Sequence, residues 1–343
     1  MRLRTVLATA AAGLAATTCL TAAGPANART DQQDSHACSP SVSLDRFSDA
    51  LDKTTYEGTF VGNFSALAVD GDGSLAALSD RSSLFSLDAK TLAPESVVPL
   101  ADESGAALDS EGLVIDRDGT RLVSSETEPS VRRYSRDGRI LGRLPVPDAL
   151  QVAPAGRAVS NGTFEGLTLF PGGRTLLASM EYALQGDSAG IVRFQTWQRT
   201  KGGDFELGRQ YAYRTDTGLG VPEVRATPDG RLLVLERGFT SGVGNTVRLY
   251  LADPRHATDT SGVGNLTGQD GVRLTKKTLL ADIVNCPSLG ATAKQPQPNP
   301  LLDNIEGMAI TGRTSDRLKV LLVSDDNQNA VQTTRFYHLR VRI

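Results

Sequence analysis

The chain has 343 residues, a formal net charge of −3, 39% hydrophobic and only 5% aromatic residues. That length is ample for one large core, and mild acidity without a basic stripe excludes nucleic acid as an expected partner. Three histidines, His36, His256 and His338, are too few and too scattered for a His-rich zinc centre, and neither His-Glu-x-x-His nor Gly-x-Ser-x-Gly occurs.

Residues 1–28 read as a secretory signal peptide. Arg2 and Arg4 precede an apolar stretch from Val6 to Leu20, and Ala26-Asn27-Ala28 supplies the small-residue cleavage site. Lipid attachment at Cys19 is the alternative, which the preceding Ala16-Thr17-Thr18 disfavours. Without the leader the net charge falls to about −5. Residues 29–40 are polar and expected to form a disordered lead-in, with 41–343 a single domain. No later segment approaches the ~18 apolar residues a membrane helix needs. The protein is expected to be secreted, monomeric and free of membrane. Cys38 and Cys286 remain as an even pair in an oxidising compartment; one disulfide is the simplest reading and two free thiols the alternative.

Five segments then share one pattern: an acidic or short polar residue, an apolar run, a turn, a second apolar run and another acid. They are Phe64–Asp80, Glu111–Glu126, Glu165–Glu181, Pro222–Glu236 and Glu306–Asp326. Asp-Gly and Gly-Gly between apolar runs are hairpin signals, because glycine tolerates the positive φ of a tight turn. Folding at such a turn brings Glu111 beside Glu126, Glu165 beside Glu181, Glu223 beside Glu236, and Glu306 beside Asp325 or Asp326. The glycines Gly112, Gly166 and Gly307 after three of these acids suggest close backbone approach, as near a packed axis.

The repeats start at 65, 111, 165, 222 and 306. The first three intervals suit one four-stranded blade each, and the last leaves room for a sixth blade or a large insertion. The expected fold is therefore all-β: a β-propeller of four-stranded antiparallel blades, six in number within a range of five to seven. Outer strands are expected around Leu84, Val131, Ile191, Gln210, Val247 and Phe336. An N-terminal strand, Ser41–Leu44 or Thr59–Gly62, is expected to complete the last blade beside Phe336–Ile343 and hide its edge. A short helix is conceivable around 147–152 or 43–51. The duplicated loops Ser241–Asn245 and Ser261–Asn265 lack the Lys-Ser/Thr of a phosphate-binding loop. The Pro-rich segment Ala293–Asp303 leads directly into the fifth repeat.

A radial arrangement of these hairpins would gather their acids into one ring, stable only with raised pKa values or a bound cation. The oxygen-rich inventory suits Ca²⁺, with Mg²⁺ the alternative. Glu111, Glu165, Glu223, Glu306 and Asp326 are the expected metal ligands. Glu126 and Glu181 are the expected general bases. Arg81 and Arg237, each directly after a strand-end acid, are the expected contacts for an anionic substrate. For any single one of these residues a solvated strand end or a surface ion pair is the alternative.

The Glu-Gly-Leu/Met strand starts, Leu235–Gly238, Val247–Tyr250, Asp303–Met308 and Leu322–Asn327, taken in order, resemble the phytase-like esterase domain of secreted bacterial proteins over roughly residues 55 to 343. The resemblance implies a β-propeller broadly similar to calcium-dependent propeller phytases and to the lactonase group. It implies phosphoester hydrolysis carried by Glu111, Glu165, Glu223 and Glu306 at strand starts and by Glu126, Glu181, Glu236, Asp325 and Asp326 at strand ends. The first repeat departs from it, with Ser65 where the others have Glu. The expected function is a secreted calcium-dependent hydrolase of a small anionic ester or phosphoester. The rivals are a non-enzymatic, cation-stabilised binding propeller and a lactonase.

Overall fold

The computed structural model describes residues 35–201, 203–269 and 271–343; the expected leader lies outside them. Each of the five repeats opens a four-stranded antiparallel sheet. Blade one comprises Phe64–Val69, Leu75–Ser79, Ser83–Leu87 and Pro94–Pro99, and blade two Ser110–Ile115, Arg121–Ser125, Ser130–Tyr134 and Ile140–Arg143. Blade three comprises Phe164–Leu169, Thr175–Met180, Ile191–Gln198 and Glu206–Arg214, and blade four Gly220–Ala226, Leu232–Thr240, Gly244–Asp253 and Lys276–Asp282. Blade five takes Ile305–Arg313, Leu318–Ser324 and Phe336–Val341 from the end of the chain and its outermost strand, Val42–Ser48, from the beginning. Val42 lies opposite Val341 and Ser48 opposite Phe336, so of the two expected closing segments it is 41–44 that pairs. Thr54–Tyr56 and Thr59–Val61 make a separate small hairpin.

Burial explains why the second strands do not alternate in the sequence. Leu75–Ser79 and Arg121–Ser125 are buried at every position, because a neighbouring blade covers each face. The outer strand Pro94–Pro99 has no fully buried residue and is accordingly more polar. The turns at Gly119, Gly172 and Gly230 carry φ of +79°, +98° and +82°, the conformation that glycine adopts without penalty.

The five innermost strands each pack on two others, one to two, two to three, three to four, four to five and five back to one, which closes the ring. Each inter-blade seam has its own apolar core. Leu78 and Leu113 join blades one and two; Leu122, Phe164 and Trp197 join two and three. Phe194 and Val234 join three and four; Leu249, Met308 and Leu322 join four and five. Phe64 and Phe336 join one and five, with ring centroids 5.9 Å apart.

Among the described residues there are five blades, within the expected range of five to seven and one fewer than the six first expected. The described residues of the long interval before the fifth repeat hold no additional sheet. It is taken up by the extended hairpin Leu232–Thr240/Gly244–Asp253, by the outer strand of blade four, by the loop 254–275 and by the Pro-rich segment. Part of that loop lies along the outer strand of blade three, where the amides of Thr260 and Thr275 donate to the carbonyls of Gln210 and Ala212, and so covers an otherwise open edge. Of the two conceivable helices, the first is a single 3₁₀ turn, Asp148–Leu150, and the second falls within the closing strand.

Cys38 and Cys286 form the expected disulfide. Residues 35–40 of the expected lead-in are ordered: Cys38 is buried, and a ring nitrogen of His36 lies 2.7 Å from the Leu44 carbonyl. No described helix is long and apolar enough to cross a membrane.

Candidate active site

Every inner strand starts with a break in its ladder. The register slips between Phe64 and Ala66, Ser110 and Leu113, Phe164 and Leu167, Gly220 and Glu223, and Ile305 and Gly307. A bulge re-aims the side chain at the slip. In four blades that residue is Ser65, Glu111, Glu165 or Glu306. The glycines that follow three of these acids are needed for contact between strands. A Cβ on Gly166 would stand 2.5 Å from the Val224 nitrogen and 2.8 Å from the Glu223 Cα. The Gly112 amide, freed by the bulge, donates to the Ser124 hydroxyl at 2.7 Å, and that hydroxyl donates to the Glu165 carbonyl of the next blade at 2.8 Å.

The second strands end at the same place. Their last acids, Asp80, Glu126, Glu181 and Asp325, donate their amides to the carbonyls of Asn63, Asp109, Thr163 and Asn304, each two residues before a strand-start position. Eight carboxylates from blades one, two, three and five therefore meet at one mouth: Asp80, Asp109, Glu111, Glu126, Glu165, Glu181, Glu306 and Asp325. Burial raises the pKa of Glu111 and of Glu165 well above the usual carboxylate range, and the neighbouring acids push the same way. Asp325 is raised well above it too, by burial and then by Glu306 and Asp80. Glu126 and Glu306 are pushed up to about 7 and Asp80 to about 6, in each case chiefly by burial. Glu181 is raised by burial against the opposing charge of Arg237.

Blade four breaks the pattern. Its bulge lies earlier in the strand, so Glu223 stays in the ladder opposite Leu235. Glu223 is completely buried and pairs at 2.7 Å with Arg225. Arg225 stands where the other blades carry Leu67, Leu113, Leu167 and Met308. Its guanidinium donates to the backbone carbonyls of those four residues, at 2.6 to 2.9 Å. One arginine thus contacts all four other inner strands and closes the axis beneath the acids. Glu236 also leaves the mouth: it accepts from the Tyr213 hydroxyl at 2.6 Å, the Asp216 amide at 2.7 Å and the Lys277 ammonium. Arg237, the next residue, enters instead. It lies 3.3 Å from Glu181 and 3.0 Å from Glu306, with its buried Nε lacking a partner.

The structure thus brings together Glu111, Glu126, Glu165, Glu181, Glu306 and Arg237 among the residues expected from the sequence. Glu223 is set apart as the counter-ion of Arg225. Asp326 is set apart as well: its carboxylate is held by the Lys53 ammonium and the Asn63 amide, and Asp325 faces the other acids in its place. Arg81 is an exposed rim residue 3.6 Å from Asp80. The sequence reading missed Asp80, Asp109 and Arg225; Asp80 closes the first repeat but was not read as a site residue. A polar residue two positions before each strand start (Asn63, Asp109, Thr163, Asn304) was the available signal for Asp109. Arg225 had only its anomaly as the one charge at an apolar position of the repeat.

These groups fit a hard cation. Carboxylate oxygens of Asp109, Glu111 and Glu126 lie within 4.8 Å of one another, as do those of Glu126, Glu165 and Glu181. Glu126 Oε1 and Asp80 Oδ1 are buried without a hydrogen-bond partner, and an unmet buried acceptor is costly unless a proton or cation satisfies it.

A family model described as phytase-like, esterase-like activity of phytase, matches residues 59–328. Over 119 residues the chain is 34% identical to an uncharacterized secreted protein of Arthroderma benhamiae; the match spans 27% of this chain and 23% of the relative, about a quarter of that protein's length. Two solved structures are similar to this chain at a low level. A gluconolactonase of Xanthomonas campestris is 15% identical, with 82% of this chain and 73% of that chain covered and a TM-score of 0.40. The PQQ-bound aldose sugar dehydrogenase of Streptomyces coelicolor is 12% identical, with 89% and 99% covered and a TM-score of 0.40. At this level of likeness neither speaks to what the chain acts on.

Proposed function

The chain belongs to the phytase-like family described by the esterase-like activity of phytase, and on that premise we propose that it is a secreted, monomeric, cation-dependent hydrolase of small esters, phosphoesters foremost. The observation that carries this reading is the convergence of eight carboxylates and one guanidinium on a mouth that Arg225 closes from below. Glu126, Glu165 and Glu181, with Glu111 and Asp109 beside them, would hold Ca²⁺ or Mg²⁺. A cation bound there would polarise the ester oxygen and acidify a water.

The chain's own groups divide the remaining work. Arg237 is fixed by Glu181 and Glu306 and offers its guanidinium edge to an oxyanion. Asp80, whose Oδ1 has no hydrogen-bond partner and faces Arg81 only at 3.6 Å, takes the proton from the attacking water. This revises the expected base, because Glu126 and Glu181 both belong to the chelating groups. A blind mouth confines substrate and product to one entrance.

The test is turnover of p-nitrophenyl phosphate, bis-p-nitrophenyl phosphate and p-nitrophenyl acetate with Ca²⁺ and with excess chelator. Turnover in Ca²⁺ that disappears with chelator is expected; no turnover of any ester in Ca²⁺ ends the reading. One observation favours a second substrate class. The acids greatly outnumber the single arginine, a balance that suits an uncharged ester or lactone over a phosphate dianion. A lactone panel run beside the phosphoesters separates the two.

A further inference from the structure

The acids at the mouth are not evenly spread. Both groups of carboxylates whose oxygens lie within 4.8 Å of one another belong to blades two and three, and Glu126 belongs to both. Two oxygens bound to one Ca²⁺ at roughly 2.3–2.6 Å lie no more than about 5 Å apart, so each group has the dimensions of a chelate for a single ion. Glu126 is 3% exposed and its Oε1 has no hydrogen-bond partner. A carboxylate has two oxygens and can place one on each of two ions. On the other side of the mouth the described residues form no such group. There Arg237 lies between Glu181 and Glu306 and supplies a covalently attached positive charge.

We propose that the mouth binds two divalent cations, one on Asp109, Glu111 and Glu126 and one on Glu126, Glu165 and Glu181, bridged by Glu126, with Arg237 occupying the third sector of the ring. The inference rests on reading the mouth as a cation site and goes beyond it in number, placement and bridging. It also gives the two expected roles of Glu126 and Glu181 a different content: both are ligands. An ester oxyanion would then have two ions and one guanidinium disposed around it, which offsets much of the acidic surplus.

The experiment is calorimetric titration of the metal-free full chain with Ca²⁺ alone, without substrate. Two ions per chain are expected. Asp109→Asn should leave one, Glu181→Gln should leave the other, and Glu126→Gln should weaken both by about tenfold or more. A melting curve in chelator confirms that each variant is folded; if Glu126→Gln does not fold, the Asp109→Asn and Glu181→Gln pair still decides. One ion in the wild type, or an unchanged count in both Asp109→Asn and Glu181→Gln, overturns the proposal. Two ions without any ester turnover would uphold the proposal while removing the hydrolase reading.

Discussion

Arg225 and Arg237 differ by twelve positions and do opposite things with the same side chain. Arg225 is buried and spends all its donors on four carbonyls and Glu223. Its replacement by Leu should cost about 3–5 kcal/mol in urea unfolding, because Glu223 would stay buried without its counter-ion. The double change Arg225→Leu with Glu223→Leu should recover a substantial part of that loss. Arg237 keeps an unpartnered Nε near the acids. Arg237→Gln should lower kcat/KM by about tenfold or more, whereas Arg81→Gln, at an exposed rim position, should change it by less than about twofold. Equal losses in both would remove Arg237 from the substrate. The acids themselves were legible as repeated Glu and Asp. Which of two adjacent residues turns inward was not. That choice at Glu236 and Arg237 depends on Tyr213 and Lys277, which come from other strands, and the one at Asp325 and Asp326 depends on Lys53.

At the scale of the strand, the bulge does the positioning. It turns the strand-start acid out of the ladder while the following glycine allows the next blade's backbone to approach. Gly166→Ala should therefore be among the more damaging single changes, by about 2 kcal/mol or more in thermal or urea unfolding, since the added Cβ meets backbone atoms of Val224 and Glu223. Gly142→Ala, in the outer strand of blade two with open space around it, is the control and should be within about 0.5 kcal/mol of wild type. Hairpins were readable from Asp-Gly and Gly-Gly turns, and the closing strand from the unsatisfied edge at Phe336–Val341. The earlier bulge of blade four was not readable: Pro222 before Glu223 and Val224 in place of the glycine mark this start as different, but only pairing reveals the slip.

For the molecule as a whole, the crowded acids set the dependence of stability on pH. Asp80, Glu126 and Glu306 have pKa values pushed up to about 6, 7 and 7 in the folded state, against the ordinary carboxylate range in the unfolded chain. The folded state thus holds more protons between those limits. The stability these groups contribute is complete below the unfolded value and is lost as pH rises through the folded ones. In excess chelator the melting temperature should fall from about pH 5 to about pH 8, and Ca²⁺ should restore it at the higher pH while doing little at the lower. A melting temperature that rises over this interval in chelator would contradict the assignment. The propeller itself was legible from the repeat, but the blade number was not. Spacing alone does not separate a sixth sheet from a long hairpin, an edge-covering loop and a Pro-rich segment.

The blade assembled from segments far apart in sequence ties its own completion to the synthesis of Phe336–Val341. Val42–Ser48 leaves the ribosome long before its partner, Phe336–Val341. Until Ile305–Arg313 is in place the growing polypeptide is an arc with two raw ends. A product lacking Phe336–Val341 would keep all five innermost strands but leave Leu318–Ser324 with an open edge, free to recruit the same strand from another molecule.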